Sequence, residues 1–131
     1  MNRKGYTIME LLAVIVIIGL LFSIAIVSYT SFINTANNRV YESYRDNMHE
    51  AAIMYFTDHL LTNNETKRLD LNTLINENRI EKIKNPKNSN DYCTDNSYID
   101  AKRIDTDGVI SIIYDVYLKC NDYNVHKSYI N

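Results

Sequence analysis

The sequence predicts an α+β protein, with a long N-terminal α-helix, apolar in its first half and amphipathic in its second, packed on a small antiparallel β-sheet head. Three observations carry this expectation. Leu11 to Val27 is an apolar run interrupted only by Gly19 and Ser23, and from Val40 to Leu60 apolar residues recur at three- and four-residue steps. Between Tyr98 and Cys120, two stretches rich in β-branched and aromatic residues flank an Asp107-Gly108 turn signal.

The first element is long enough to cross a bilayer. A spanning helix needs about 20 consecutive apolar residues, and Tyr6 to Val27 supplies that length, broken only by Thr7, Glu10, Gly19 and Ser23. Glu10 is the informative exception, because an acid within such a helix costs about 2.5 to 3.5 kcal/mol on insertion scales and calls for a counter-charge. No Lys or Arg stands between Gly5 and Asn38. The partner is therefore non-local, either the chain's own amino terminus after processing or a group on a neighbouring copy. A third reading has the carboxylate reaching the headgroups at the membrane edge. Arg3 and Lys4 place the N-terminus in the cytoplasm and the rest outside. An ordinary secretory signal fits poorly, since its apolar region is about 7 to 15 residues and carries no acid.

The order of residues at this end resembles the precursors of type IV pilins and pseudopilins. They carry a short basic leader ending in Gly, then an aromatic residue, Thr, two apolar residues, Glu and a long apolar helix. Gly5, Tyr6, Thr7, Ile8, Met9, Glu10 and the run from Leu11 occupy those places in turn. The resemblance implies that a prepilin peptidase cuts between Gly5 and Tyr6 and methylates the new Tyr6 amine. It also implies that Glu10, with Thr7, serves assembly by pairing with the Tyr6 amine of another subunit. The implied partners are further copies and related pilins, the peptidase, and an assembly platform with its ATPase. The precursor would reside in the inner or cytoplasmic membrane, and the product in a filament at the cell surface or in the periplasm or cell wall. Two positions depart from the usual pattern: Tyr6 stands for Phe, and Val27 for a Pro that would bend the helix, so a straighter helix is expected. An amine–carboxylate pair within one chain is also open, because residues four apart share a helix face.

Beyond the apolar run, Val40, Tyr44, Met48, Ala51, Ala52, Tyr55, Phe56 and Leu60 line one helical face, and Arg39, Glu42, Arg45, Asp46, Glu50 and Asp58 the other. A helix from Tyr6 to Leu61 would extend roughly 80 to 85 Å at 1.5 Å per residue. Thr62 to Glu65 should end it. Asp70 is placed to cap a short helix holding Leu71, Leu74 and Ile75, with Ile80 and Ile83 packing the following segment. Asn85-Pro86 opens a loop that runs to Asn96. Tyr98 to Ile104 and Val109 to Cys120 read as strands joined by Asp105-Thr106-Asp107-Gly108. In the second strand Ile110, Ile112, Tyr114, Val116, Leu118 and Cys120 should face the helix, with Ser111, Asp115 and Lys119 outward. The expected divisions are a leader at 1–5, a membrane or filament-core helix at 6–27, the amphipathic half at 28–62, and a head formed by 63–131 on that half.

Composition limits the function. One helix takes about half of the 131 residues, leaving room for one small outer domain and no large catalytic core. Two of the 14 Lys and Arg lie in the leader and one of the 16 Asp and Glu in the membrane segment, leaving 12 basic and 15 acidic residues outside. Such a mildly acidic surface is unsuited to general nucleic-acid binding, and no direct nucleic-acid contact is expected. Cys93 and Cys120 lie in the exported part, where an even count is first read as a disulfide; two free thiols are the alternative. In the pilin family such a bond borders an exposed packing and adhesion loop.

The search for catalysis yields nothing. His49-Glu50 begins like a HExxH zinc site, but Ile53 stands where the second His belongs, and His59 and His126 lack ligand spacing. Asp105, Asp107 and Gly108 echo a calcium loop, yet Val109 and Ile110 follow as strand residues, so a plain turn is the better reading. Asn64-Glu65-Thr66 is a glycosylation-type sequon that is read instead as a helix end. No metal or cofactor is called for. The leading function is a filament subunit. The alternatives are a single-pass anchored extracellular binding domain that does not polymerise and, far behind, an anchored enzyme.

Overall fold

A computed structural model describes residues 5, 7–93, 96–121 and 123–131. The chain forms two compact units, Met1–Ala36 and Asn37–Asn131. A single helix, α1 (Ile8–Asp58), contributes to both. It runs unbroken through Gly19 and Val27, as the absence of Pro at position 27 leads one to expect. In the first unit the hydroxyls of the apolar stretch do not compete with the helix, because they fold back onto its carbonyls. Ser23 Oγ donates to Gly19 O at 2.9 Å, Ser28 Oγ to Ile24 O at 3.1 Å and Thr30 Oγ1 to Val27 O at 3.0 Å. These three hydroxyls are thus satisfied within the helix itself, an arrangement compatible with an apolar surrounding.

In the second unit α1 meets the head. The elements that follow are β1 (Thr66–Asp70), α2 (Leu71–Asn76), β2 (Lys84–Asn85), β3 (Asn88–Tyr92), β4 (Tyr98–Thr106), β5 (Val109–Cys120) and β6 (Tyr123–Ile130). Four strands form one antiparallel sheet in the order β1-β4-β5-β6, and β2 pairs with β3 in a separate ribbon. The β4–β5 pairing runs from Tyr98↔Tyr117 to Thr106↔Val109. The connecting turn is two residues long rather than four. Asp107 (φ +55°) and Gly108 (φ +83°) both sit in the left-handed region, which a tight hairpin demands and which Asp and Gly tolerate best.

The core joins one face of α1 to the inner face of the sheet. Tyr41, Met48, Ala51, Ala52, Tyr55 and Phe56 from α1 are buried with Leu69, Leu71, Leu74, Ile83, Ile99, Ala101, Tyr114, Val116 and Leu118. Three sequence expectations are corrected here. Val40 is exposed while Tyr41 is fully buried, stacked on Tyr123 and donating to Asn85 Oδ1 at 2.8 Å. Leu60 is exposed and Leu61 buried, because α1 ends at Asp58 and the helical period no longer applies beyond it. Ile110 is 53% exposed, lying past the end of the helix that covers the rest of its strand face.

The helix end is closed as a turn. Thr62 N and Oγ1 both donate to Glu65 Oε2 at 2.8 Å, and these bonds hold the Glu65 carboxyl below its ordinary pKa. Asp70 precedes α2, yet its side chain makes no capping hydrogen bond, and Leu71 N instead donates to Ser97 O at 3.0 Å. On the outer face of the sheet, Arg68 forks onto Asp100 with two 2.8 Å bonds and lies over Tyr98, which stacks on Tyr117, which stacks on His126.

Strand β6 is locked to α1 by Tyr129. Its hydroxyl accepts from Arg45 Nε at 3.0 Å and donates to the Asp46 carboxylate, and its ring stacks on His49 with centroids 4.0 Å apart. Among the described residues His49 Nε2 is buried without a partner. Burial holds the His49 pKa below the ordinary 6.5, outweighing the pull of Asp46 and Glu50 in the other direction, while Lys127 lowers it further. The unfolded chain therefore binds this proton more readily than the folded one. The stabilisation is complete above about pH 6.5 and declines as pH falls toward the depressed folded value. Urea unfolding between about pH 7.5 and 5 should show a falling midpoint. That fall should be smaller in His49→Gln, and an identical pH profile for the two proteins would contradict the assignment.

Candidate functional site

The helix start is built by Thr7 and Glu10. Thr7 N donates to Glu10 Oε2 at 3.1 Å, Glu10 N donates to Thr7 Oγ1 at 3.3 Å, and Leu11 N donates to Thr7 O at 3.1 Å. These are the reciprocal bonds of a capping box, in which a Thr and the Glu three residues later satisfy each other's backbone donors. The positive end of the helix dipole further favours a carboxylate in this first turn. The bonds aim the Glu10 carboxylate back toward the N-terminus, and the Thr7 nitrogen that it accepts from is the next along the chain from that of Tyr6. Reading Glu10 for its charge alone misses this role, although Thr7-Ile8-Met9-Glu10 carries the signature in full view.

Gly5 is exposed and a side chain there would meet nothing within 4 Å. Tyr6, the expected mature first residue and methylation position, lies outside the described residues. The structure therefore brings Thr7 and Glu10 together and leaves their relation to the Tyr6 amine open.

Behind this cap, every residue from 8 to 27 is exposed, and the most apolar 18-residue window of α1 has a mean hydropathy of 3.0. No part of the described chain covers this surface. It is long and apolar enough to cross a membrane.

The two cysteines are joined. Cys93 and Cys120 form a disulfide with Cα atoms 4.3 Å apart, tying the residue after β3 to the end of β5. Both are buried, and Ser97 braces them by donating to Cys93 O at 2.8 Å and accepting from Lys119 N at 2.9 Å. Among the described residues no three His, Cys, Asp or Glu side chains are grouped to hold a metal. An open groove of about 570 Å³ between α1 and residues 79–84 carries Glu50, Glu81, Arg79, Lys82 and Lys84 but no Ser, Cys or His. His59 stacks on Tyr55, and His126 lies 3.4 Å from Asp115 on the outer sheet face.

No curated protein and no solved structure is significantly similar to this chain. Residues 1–26 match the family model described as the prokaryotic N-terminal methylation motif, and this match supports a type IV pilin or pseudopilin family for the chain.

Proposed function

We propose that the chain is the structural subunit of a type IV pilus or pseudopilus filament. A prepilin peptidase removes residues 1–5 and methylates Tyr6, and residues 6–27 anchor the precursor in the membrane and later pack into the filament core. Residues 28–62 and 63–131 form the exported head. The methylation motif points to a structural protein, and an apolar helix behind such a leader is consistent with a membrane-anchored precursor. One observation carries the proposal furthest. A carboxylate oriented by its own capping box stands at the head of an apolar helix surface that the chain leaves wholly uncovered.

In this reading the capping box presets the contact. Glu10 Oε2 holds the Thr7 nitrogen, leaving Oε1 for the ammonium of a neighbouring subunit. In a low-dielectric surrounding, that attraction is several times stronger than in water. Once paired, the helices cover one another's apolar faces. Mass spectrometry of the mature protein tests the processing. Its N-terminus is expected at Tyr6 with one added methyl group. A protein that retains Met1 would instead be an anchored domain that never enters a filament.

A further inference from the structure

We infer that residues 127–130 of β6 form an acid-released latch: when the His49 imidazole takes up a proton, its stack with Tyr129 breaks and this end of the strand peels away from α1 and β5. The inference stands on the head alone and does not require a filament.

The end of β6 is held at few points. It belongs to an edge strand, paired with β5 and with no other described strand. Ile112 and Asn131 exchange both backbone bonds. By the alternation of an antiparallel ladder, Lys127 and Tyr129 therefore bond to β5, while Ser128 and Ile130 turn their backbone groups outward. Among the side chains of residues 127–130 only Tyr129 is half-buried, and Ser128 adds a hydrogen bond to Asp115 on the outer face. The start of the strand is better fastened, because Cys120 is bonded to Cys93 and Tyr123 stacks on the buried Tyr41. A segment with so few contacts opens without the rest of the sheet, since local opening costs only the contacts that it breaks.

Tyr129 is in turn seated on His49. The two rings are 13° from parallel with centroids 4.0 Å apart, and the Tyr114 ring of β5 meets His49 edge-on at 5.1 Å. Nε2 of His49 is buried with no partner among the described residues. A neutral imidazole leaves one hydrogen bond unmade there, whereas an imidazolium leaves a charged donor unpaired, which costs more. Attraction of the cation to the Tyr129 ring is no remedy. Lys127 Nζ already lies 4.8 Å from that ring's centroid, so a second positive charge on it meets a like charge.

The charges around the imidazole are Arg45, Asp46 and Glu50 on α1 and Lys127 on β6, with the Tyr114 and Tyr129 hydroxyls as the other titratable groups. Burial outweighs the pull of Asp46 and Glu50 and holds the His49 pKa below its ordinary value, and Lys127 adds to the lowering. In the closed head Asp46 is also engaged by the Tyr129 hydroxyl. Peeling reverses each of these. It wets Nε2, carries Lys127 away and frees Asp46, three residues before His49 on the same helix face, to attract the imidazolium. The closed form is thus fully favoured above about pH 6.5 and loses ground as pH falls toward the depressed closed-state value. His126, the other histidine of this strand, works against release, because its Nε2 lies 3.4 Å from Asp115 and its proton would tighten β6 on β5.

Residue-resolved hydrogen exchange of the full-length chain in detergent, with protection taken against the denatured chain at each pH, tests the latch. A histidine of ordinary pKa in the open form favours opening by at most about tenfold between pH 7.5 and 5.5. Protection of the Lys127 and Tyr129 amides should fall by about three- to tenfold over that range. At pH 5.5 these amides should exchange at least tenfold faster than those of the β1–β4 pairing, which marks a local opening. The fall should vanish in His49→Gln and persist in His126→Gln. Lys127→Gln, which keeps His49 and reports even if His49→Gln does not fold, should show a smaller fall at residue 129 because one charge opposing the proton is gone. An undiminished fall in His49→Gln or Lys127→Gln, its loss in His126→Gln, or protection at 127 and 129 equal to that of β1–β4 at pH 5.5 overturns the latch.

Discussion

Cells producing Glu10→Ala in place of the wild-type chain are expected to form at least tenfold less filament while keeping the precursor in the membrane. If residues 6–27 span the membrane as proposed, removing an acid from that span makes insertion easier, by about 2.5 to 3.5 kcal/mol on insertion scales, so a loss of filament would not reflect a loss of anchoring. In the proposed pairing, what disappears is the attraction between the Glu10 carboxylate and a neighbouring ammonium. For unit charges about 4 Å apart this is worth about 1 kcal/mol in water and about 4 kcal/mol at an effective dielectric constant of 20. Each 1.4 kcal/mol is about a factor of ten in affinity, and a filament repeats the contact at every subunit. Alanine also removes the capping box, since Thr7 N loses its acceptor. Glu10→Gln separates the two effects because glutamine can cap in the same geometry but carries no charge. If assembly depends on the charge, the Gln variant fails as the Ala variant does. Wild-type levels of filament from Glu10→Gln would reduce the residue to a helix cap, and wild-type levels from both would remove it from assembly altogether. Sheared fibres and membrane fractions, both quantified by immunoblot, supply the readout.

What could be read from residues alone follows how each element is buried. Strand β5 is covered by α1 on one face over most of its length, so Tyr114, Val116, Leu118 and Cys120 alternate inward and the pattern is visible without a structure. The sheet's two edge strands carry a weaker signal. β1 is Thr66-Lys67-Arg68-Leu69-Asp70 and buries Leu69 alone, while β6 has no fully buried residue among Tyr123 to Ile130. A strand paired on one side and mostly open to water needs few apolar residues, so neither segment carries a strand pattern and the sequence alone assigns no strand to either. The short β3, Asn88–Tyr92, is polar for the same reason and falls inside the expected loop. The core stripe of α1 is displaced by one residue at its start because Tyr41 hides its polar hydroxyl in a hydrogen bond to Asn85, a partner 44 positions away. At the functional end the reverse holds. Thr7 and Glu10 are three residues apart, the capping interaction is local, and the sequence is sufficient to reveal it.

Replacing both cysteines, Cys93→Ala with Cys120→Ala, should lower the stability of the head by about 3 to 4 kcal/mol in the chain-entropy account of a cross-link spanning 27 positions. For a unit the size of residues 37–131 this corresponds to a fall in Tm of roughly 12 to 30 °C. Alanine is the suitable replacement because both positions are buried and serine would add an unsatisfied hydroxyl to the core. The local geometry says where the loss should concentrate. The disulfide holds residue 93 against the end of β5, and Cys93 N donates to Ile83 O at 2.8 Å, so the C-terminal end of the 83–93 segment is fastened here covalently. That segment carries Asn85, the hydrogen-bond partner of Tyr41. Once the cross-link is gone, hydrogen exchange should rise first in residues 83–93 and at the Cys120 end of β5, and least in the β1–β4 pairing. Thermal melts of the detergent-solubilised full chain, followed by near-UV circular dichroism, measure the size of the effect. A fall of less than about 5 °C would mean that packing around Leu118, Ile83 and Tyr41 holds this corner closed without the covalent bond. Because the bond lies in the head and Glu10 at the start of α1, the cysteine variant should lose head stability while filament yield at low temperature stays sensitive to Glu10→Ala.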